Sequence, residues 1–199
     1  MLHFITENRS VIVKMFVNQI GMIFFGFVLS MATNQNDSLF LAASIFSVLF
    51  YMFLEYTVAW DLGAHDKIKL DGGRIDYMPC KGIFTSLCAN ILNLLSGVLT
   101  VIGYFCLSAA DRVPHMAVSA EHSAKWAVNL FAVPNIICRA LQPMFSGILY
   151  NFSPYNPIAL IFLPLPIIAI SGLGYFVAIK GKSISGMLGI KTKRNGGGR

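Results

Sequence analysis

Four long apolar runs, each about as long as a bilayer is thick, constrain this chain more than any motif it carries. A helix rises 1.5 Å per residue and needs roughly 20 residues to cross a hydrocarbon core. The runs cover about residues 11–32, 39–60, 82–107 and 157–179, with polar stretches between them. A soluble reading fails on composition. Only 12% of the 199 residues are charged, against about 25% in a typical globular domain, which is too little polar surface to cover a globule this small. The fold class predicted is therefore an all-α integral membrane protein with four full transmembrane helices. It forms a single polytopic domain over residues 1–182, followed by a basic tail over 183–199. The first run reads as a retained span, because its apolar region is longer than that of a secretory signal and holds Asn18 and Gln19.

Residues 125–152 are harder to place. They are apolar enough to insert, yet they contain Asn129, Asn135, Arg139, Gln142, Pro134 and Pro143. A central arginine costs about 3 kcal/mol on insertion scales. The expectation is two short helices broken at the prolines, forming an interfacial or re-entrant element through which Arg139 reaches the headgroups. Charge supports an even number of crossings. Arg9 and Lys14 lie at the start of the first span, Lys67, Lys69, Arg74 and Lys81 lie between the second and third, and six basic residues follow Ile179. The positive-inside rule then puts both termini and the 61–81 loop in the cytoplasm of a plasma membrane. Five or six crossings are the alternatives.

The 61–81 loop, "DLGAHDKIKLDGGRIDYMPCK", is the most strongly charged stretch. Asp-Gly-Gly is a turn signal, and "KIKL" and "RIDYM" alternate polar with apolar residues on either side, so the pattern predicts a short hairpin about Gly72 and Gly73. His65 and Cys80 flank that turn 15 positions apart. One histidine and one cysteine in a cytoplasmic loop of a small, basic, polytopic protein resemble the accessory-gene-regulator B type of membrane cysteine peptidase. The resemblance implies His65 as base and Cys80 as nucleophile. In that family a Gly-Gly-x-His motif comes shortly before the cysteine, whereas here "GAH" precedes and "GG" follows.

The polar residues inside the runs carry the preferred reading, since in hydrocarbon each must be buried in protein or line a cavity. Asn90, Asn93, Gly97, Thr100 and Tyr104 recur at helical spacing. Asn18 and Gln19 in the first run and Glu55 in the second reach similar depth. Lys14 is near enough in depth to pair with Glu55 if the two helices are neighbours. The predicted site is an intramembrane polar cluster of Lys14, Asn18, Gln19, Glu55, Asn90, Asn93 and Thr100. The function it suggests is a non-catalytic transport-related or membrane-accessory component; a cysteine peptidase using His65 and Cys80 is the rival. The size and basic balance are similar to those of vitamin-binding subunits of energy-coupling-factor importers, although no motif carries that likeness. The four cysteines and scattered histidines show no metal-ligand spacing, so no cofactor or metal is expected. The expected partner is the lipid bilayer, with other membrane subunits left open. No basic, aromatic-interleaved face suggests nucleic acid, and the substrate is not legible.

Overall fold

A computed structural model describes residues 2–110, 119–152 and 156–181, and among these every regular element is helical. In chain order they are α1 (Leu2–Glu7), α2 (Arg9–Thr33), α3 (Asp37–Asp71), α4 (Lys81–Ala89), α5 (Ile91–Ala110), α6 (Ser119–Leu141), a 3-10 turn (Pro143–Phe145), α7 (Ser146–Phe152), α8 (Ala159–Phe162) and α9 (Leu165–Ile179). Four stretches are long and apolar enough to cross a membrane: Arg9–Thr33, Asp37–Asp71, Ile91–Ser108 and Ala159–Ile179. Each overlaps one of the four apolar runs of the sequence, the third covering only the part of its run from Ile91 onward. Phe24, Phe27, Val28, Met31, Leu49 and Phe53 point outward and are exposed, so the bundle presents an apolar exterior.

Helix α3 differs most from expectation. Asn36 caps it, accepting from the Ser38 and Leu39 amides at 3.1 and 3.3 Å, with Asp37 on the positive end of the dipole. The helix then runs for 35 residues, about 52 Å at 1.5 Å per residue, straight through the region where a hairpin is predicted. Ala59, Leu62, Gly63 and Asp66 are buried at helical spacing, and that period overrides the short alternation of "KIKL". Asp-Gly-Gly does impose a positive φ, at Gly73 (66°). Its job is to stop the helix: the Gly73 amide donates to the Leu70 carbonyl at 3.0 Å and the Arg74 amide to the Lys69 carbonyl at 2.9 Å. The connection shrinks to residues 72–80.

Two further expectations need correction. The third run does not form one helix: α4 ends at Ala89 and Asn90 caps it, its side-chain amide bonding back to the Ser86 carbonyl at 3.1 Å, before α5 starts at Ile91. Nor does Pro134 break α6: it lies inside the helix and is buried. The break comes at Gln142, immediately before Pro143. Arg139 is exposed and donates to Asn135 one turn earlier at 3.0 Å. The tail over 183–199 lies outside the described residues.

Close approaches at small residues hold the helices together. At Gly63 of α3 a Cβ would meet the Tyr175 carbonyl of α9 at 2.6 Å, at Gly174 of α9 it would meet the Tyr56 carbonyl at 2.7 Å, and at Gly103 of α5 it would meet Phe131 of α6 at 2.6 Å. The 3-10 turn and α7 pack against α2 and the start of α3. Ser30 and Ser146 share a hydrogen bond of 2.6 Å, the Gly147 amide donates to Ser44 Oγ at 2.7 Å, and Met144 lies against Gly26.

Candidate functional site

Two apolar clusters stack along the bundle. One gathers Met15, Ala59, Leu62, Ala89, Tyr175 and Ile179. The other gathers Met22, Tyr51, Cys138, Met144, Phe145, Leu149, Leu160 and Ile167. Between them on each helix lies a polar residue. Gln19 sits between Met15 and Met22 on the buried stripe of α2, Glu55 sits between Tyr51 and Ala59 on α3, and Asn90 follows Ala89 at the α4–α5 break. Helical spacing thus turns single polar residues in three segments into one layer.

Glu55 is the centre of that layer. It is 0% exposed, its Oε1 receives the Asn18 amide at a long 3.5 Å, and its Oε2 has no partner. No basic side chain pairs with it among the described residues. The Tyr51 hydroxyl lies one turn away and faces Asn90 without completing a hydrogen bond. Asn93 donates to Asn90 Oδ1 at 3.3 Å. Gln19 Oε1, Ser86 Oγ and Asn93 Oδ1 are also buried without partners. The Glu55, Gln19 and Asn93 oxygens can only accept, whereas the Tyr51 and Ser86 hydroxyls can also donate, so what the layer lacks among the described residues is positive charge. Solvating water would supply hydrogen bonds; only a cation or a proton would also balance the carboxylate.

Of the residues singled out by sequence, the structure brings Asn18, Gln19, Glu55, Asn90 and Asn93 to this layer. Thr100 is fully buried but donates to the Ser96 carbonyl of its own helix at 2.7 Å, and Gly97 receives Ile161 of α8. Tyr104 is exposed and packs against Phe105 and Phe131. Lys14 is exposed on α2 and makes no ion pair with Glu55. Lys14 is one residue, about 100° of rotation, off the buried stripe of Met15 and Gln19, and Asn18, one turn further along α2, makes the contact with Glu55 instead. His65 pairs weakly with Asp61 at 3.6 Å on the outside of α3. Cys80 is exposed just before α4, and no hydrogen bond joins the two among the described residues.

Sequence reasoning missed a second polar group. Lys81 Nζ lies 2.8 Å from Asp66 Oδ2, and the Tyr175 hydroxyl donates to the same oxygen at 3.0 Å. All three residues are buried. Asp66 and Lys81 were legible only as loop charges, because the continuation of α3 that turns Asp66 inward was not recognised. Among the described residues no group of histidine, cysteine, aspartate and glutamate has the makings of a metal site. The chain matches no protein-family model, and neither curated proteins nor solved structures yield a similar chain.

Proposed function

We propose that this chain is a multi-pass membrane protein without chemistry of its own, a transport-related component whose Glu55 layer takes up a small cation, either a proton or an alkali-metal ion. The observation that carries the reading is Glu55 itself: fully buried, weakly bonded on one oxygen, unpartnered on the other, and without a basic partner among the described residues. An uncompensated carboxylate in an apolar interior is costly, and a purely structural polar contact would not need the charge.

The apolar exterior and the four long apolar helices support insertion in a bilayer. In this reading α2, α3, α4 with α5, and α8 with α9 are the four crossings. The stretch from α6 to α7 is re-entrant: Phe131 and Cys138 run back alongside Gly103 and Ser96 of α5, and α7 then packs beside Phe40 and Ser44 at the start of α3. Both termini lie on the cytoplasmic side of a plasma membrane, in keeping with the basic residues there. Other membrane subunits would find their docking surface on the apolar exterior.

Binding is tested on the purified full chain in detergent. The melting midpoint is measured while sodium chloride replaces choline chloride at constant ionic strength, and again across pH. A ligand that binds only the folded state raises the midpoint with its concentration. Wild type is expected to respond to sodium or to protons, and Glu55→Gln to respond to neither. An equal response in both proteins would remove the reading.

A further inference from the structure

The buried stripe of α3 changes character at Glu55. Toward the end where α2 joins α3 its buried residues are Tyr51, Ser47 and Ser44, each with a hydroxyl, whereas on the other side of Glu55 they are Ala59, Leu62 and Gly63. Ser47, Tyr51, Glu55 and Ala59 follow at four-residue steps and share one face. From Ser44 to Glu55 the hydroxyl-bearing part is about 16 Å long at 1.5 Å per residue. The serines by themselves are explained by packing, since Ser47 donates to the Ala43 carbonyl at 2.8 Å and Ser44 Oγ accepts from the Gly147 amide at 2.7 Å.

Two groups on this side are not. Gln142 is 2% exposed, yet neither the oxygen nor the nitrogen of its side-chain amide has a hydrogen-bond partner among the described residues. The hydroxyl of the buried Tyr51 is also without one. Apolar packing cannot compensate a carboxamide taken out of water with nothing to bond. The chain around Gln142 lies against this part of α3: Cys138, one turn earlier, and Met144 belong to one apolar cluster with Tyr51. Pro143 and Met144 line a crevice with Ser30, Ser44 and Ser47. On the far side of the layer Thr85 of α4 spends its hydroxyl on the Lys81 carbonyl at 2.8 Å.

We infer that Gln142 and Tyr51 line the path by which the cation reaches Glu55 from the end where α2 joins α3. The Gln142 carbonyl and the Tyr51 oxygen take over contacts that the cation loses with water, and the Ser44 and Ser47 oxygens continue that lining toward the crevice. The crevice is too narrow for a water molecule in this conformation. Passage therefore requires the 3-10 turn to part from α2 and α3.

This path rests on the Glu55 reading and is tested apart from it. Gln142→Leu removes the amide at nearly constant size. Its melting midpoint in choline chloride should be level with wild type or higher, and the cation-dependent rise should be kept, because Glu55 is untouched. Cation flux into proteoliposomes should fall about tenfold, since a polar contact along the path is gone, and Gln142→Asn should recover most of it. In a cysteine-free background that keeps the wild-type flux, Ser47→Cys is expected to react with 2-aminoethyl methanethiosulfonate, a small cationic thiol reagent. Ala59→Cys, one turn beyond Glu55 on the same face, should stay unmodified under the same exposure. Undiminished flux in Gln142→Leu would overturn the inference, as would Ser47→Cys reacting no faster than Ala59→Cys; should Gln142→Leu fail to fold, the thiol comparison decides alone. Either result with a normal cation response in wild type removes this path and spares the Glu55 reading, whereas a wild type without any cation response removes both.

Discussion

Lys81 Nζ lies 2.8 Å from Asp66 Oδ2, joining the first residue of α4 to the last buried turn of α3. The Tyr175 hydroxyl of α9 closes on the same oxygen, so three segments meet at one carboxylate. Removing one member of such a pair leaves a buried charge alone, at a cost of about 3 kcal/mol. Lys81→Met and Asp66→Asn should each lower the melting midpoint in detergent by a corresponding amount. The double variant should regain part of the loss, because neither charge is then stranded. Strictly additive losses would show that the pair contributes no coupling.

The glycines separate packing from helix propensity. Gly63 and Gly82 both stand against Tyr175 with no room for a methyl group, whereas at Gly21 nothing lies within 4 Å. Gly63→Ala and Gly82→Ala should each destabilise by about 1–3 kcal/mol, the range for overpacking. Gly21→Ala should be neutral or stabilising by up to about 1 kcal/mol, since alanine is the better helix former. Thermal melts of the three single variants would rank them, and a destabilised Gly21→Ala would contradict the open face of α2.

Much of the architecture was legible because span length is a one-dimensional property. The helices Arg9–Thr33 and Ala159–Ile179 lie where the apolar runs lie. The polar layer was legible for the same reason: Asn18, Glu55 and Asn90 stand out against apolar neighbours whatever the details of packing. What escaped was whatever depended on partners distant in sequence. Asp66 is one of several charges in a polar stretch until α3 is known to continue past the apolar run, and Tyr175 is 109 positions away from it. The Asp-Gly-Gly signal fixed the backbone conformation and left open whether it served a hairpin or a helix stop; the buried spacing of Ala59, Leu62 and Asp66 decided that. Lys14 failed as a partner for Glu55 because Asn18, one turn further along the same face of α2, takes that contact while the lysine stays exposed.

Topology gives a direct check on the four-crossing arrangement. In a cysteine-free background, single cysteines at Gln35, between α2 and α3, and at Arg74, between α3 and α4, both fall on exposed connections. A membrane-impermeant maleimide applied to intact cells should label position 35 and spare position 74, and both should react after permeabilisation. Labelling at 74 in intact cells would invert the orientation. Labelling at both would deny that α3 crosses.

The central claim is that Glu55 takes up a small cation inside the bundle, and the most direct measurement is cation movement in proteoliposomes. The purified chain would be reconstituted with a pH-sensitive dye trapped inside, and sodium uptake would be followed in parallel with a radioactive tracer under an imposed potential. The expected result is proton or sodium flux in wild type that falls at least tenfold in Glu55→Gln. It should persist in the His65→Ala, Cys80→Ala double variant, whose changes lie away from the layer. Flux in Glu55→Gln equal to that of wild type, or no flux above protein-free vesicles for either ion, would contradict the claim.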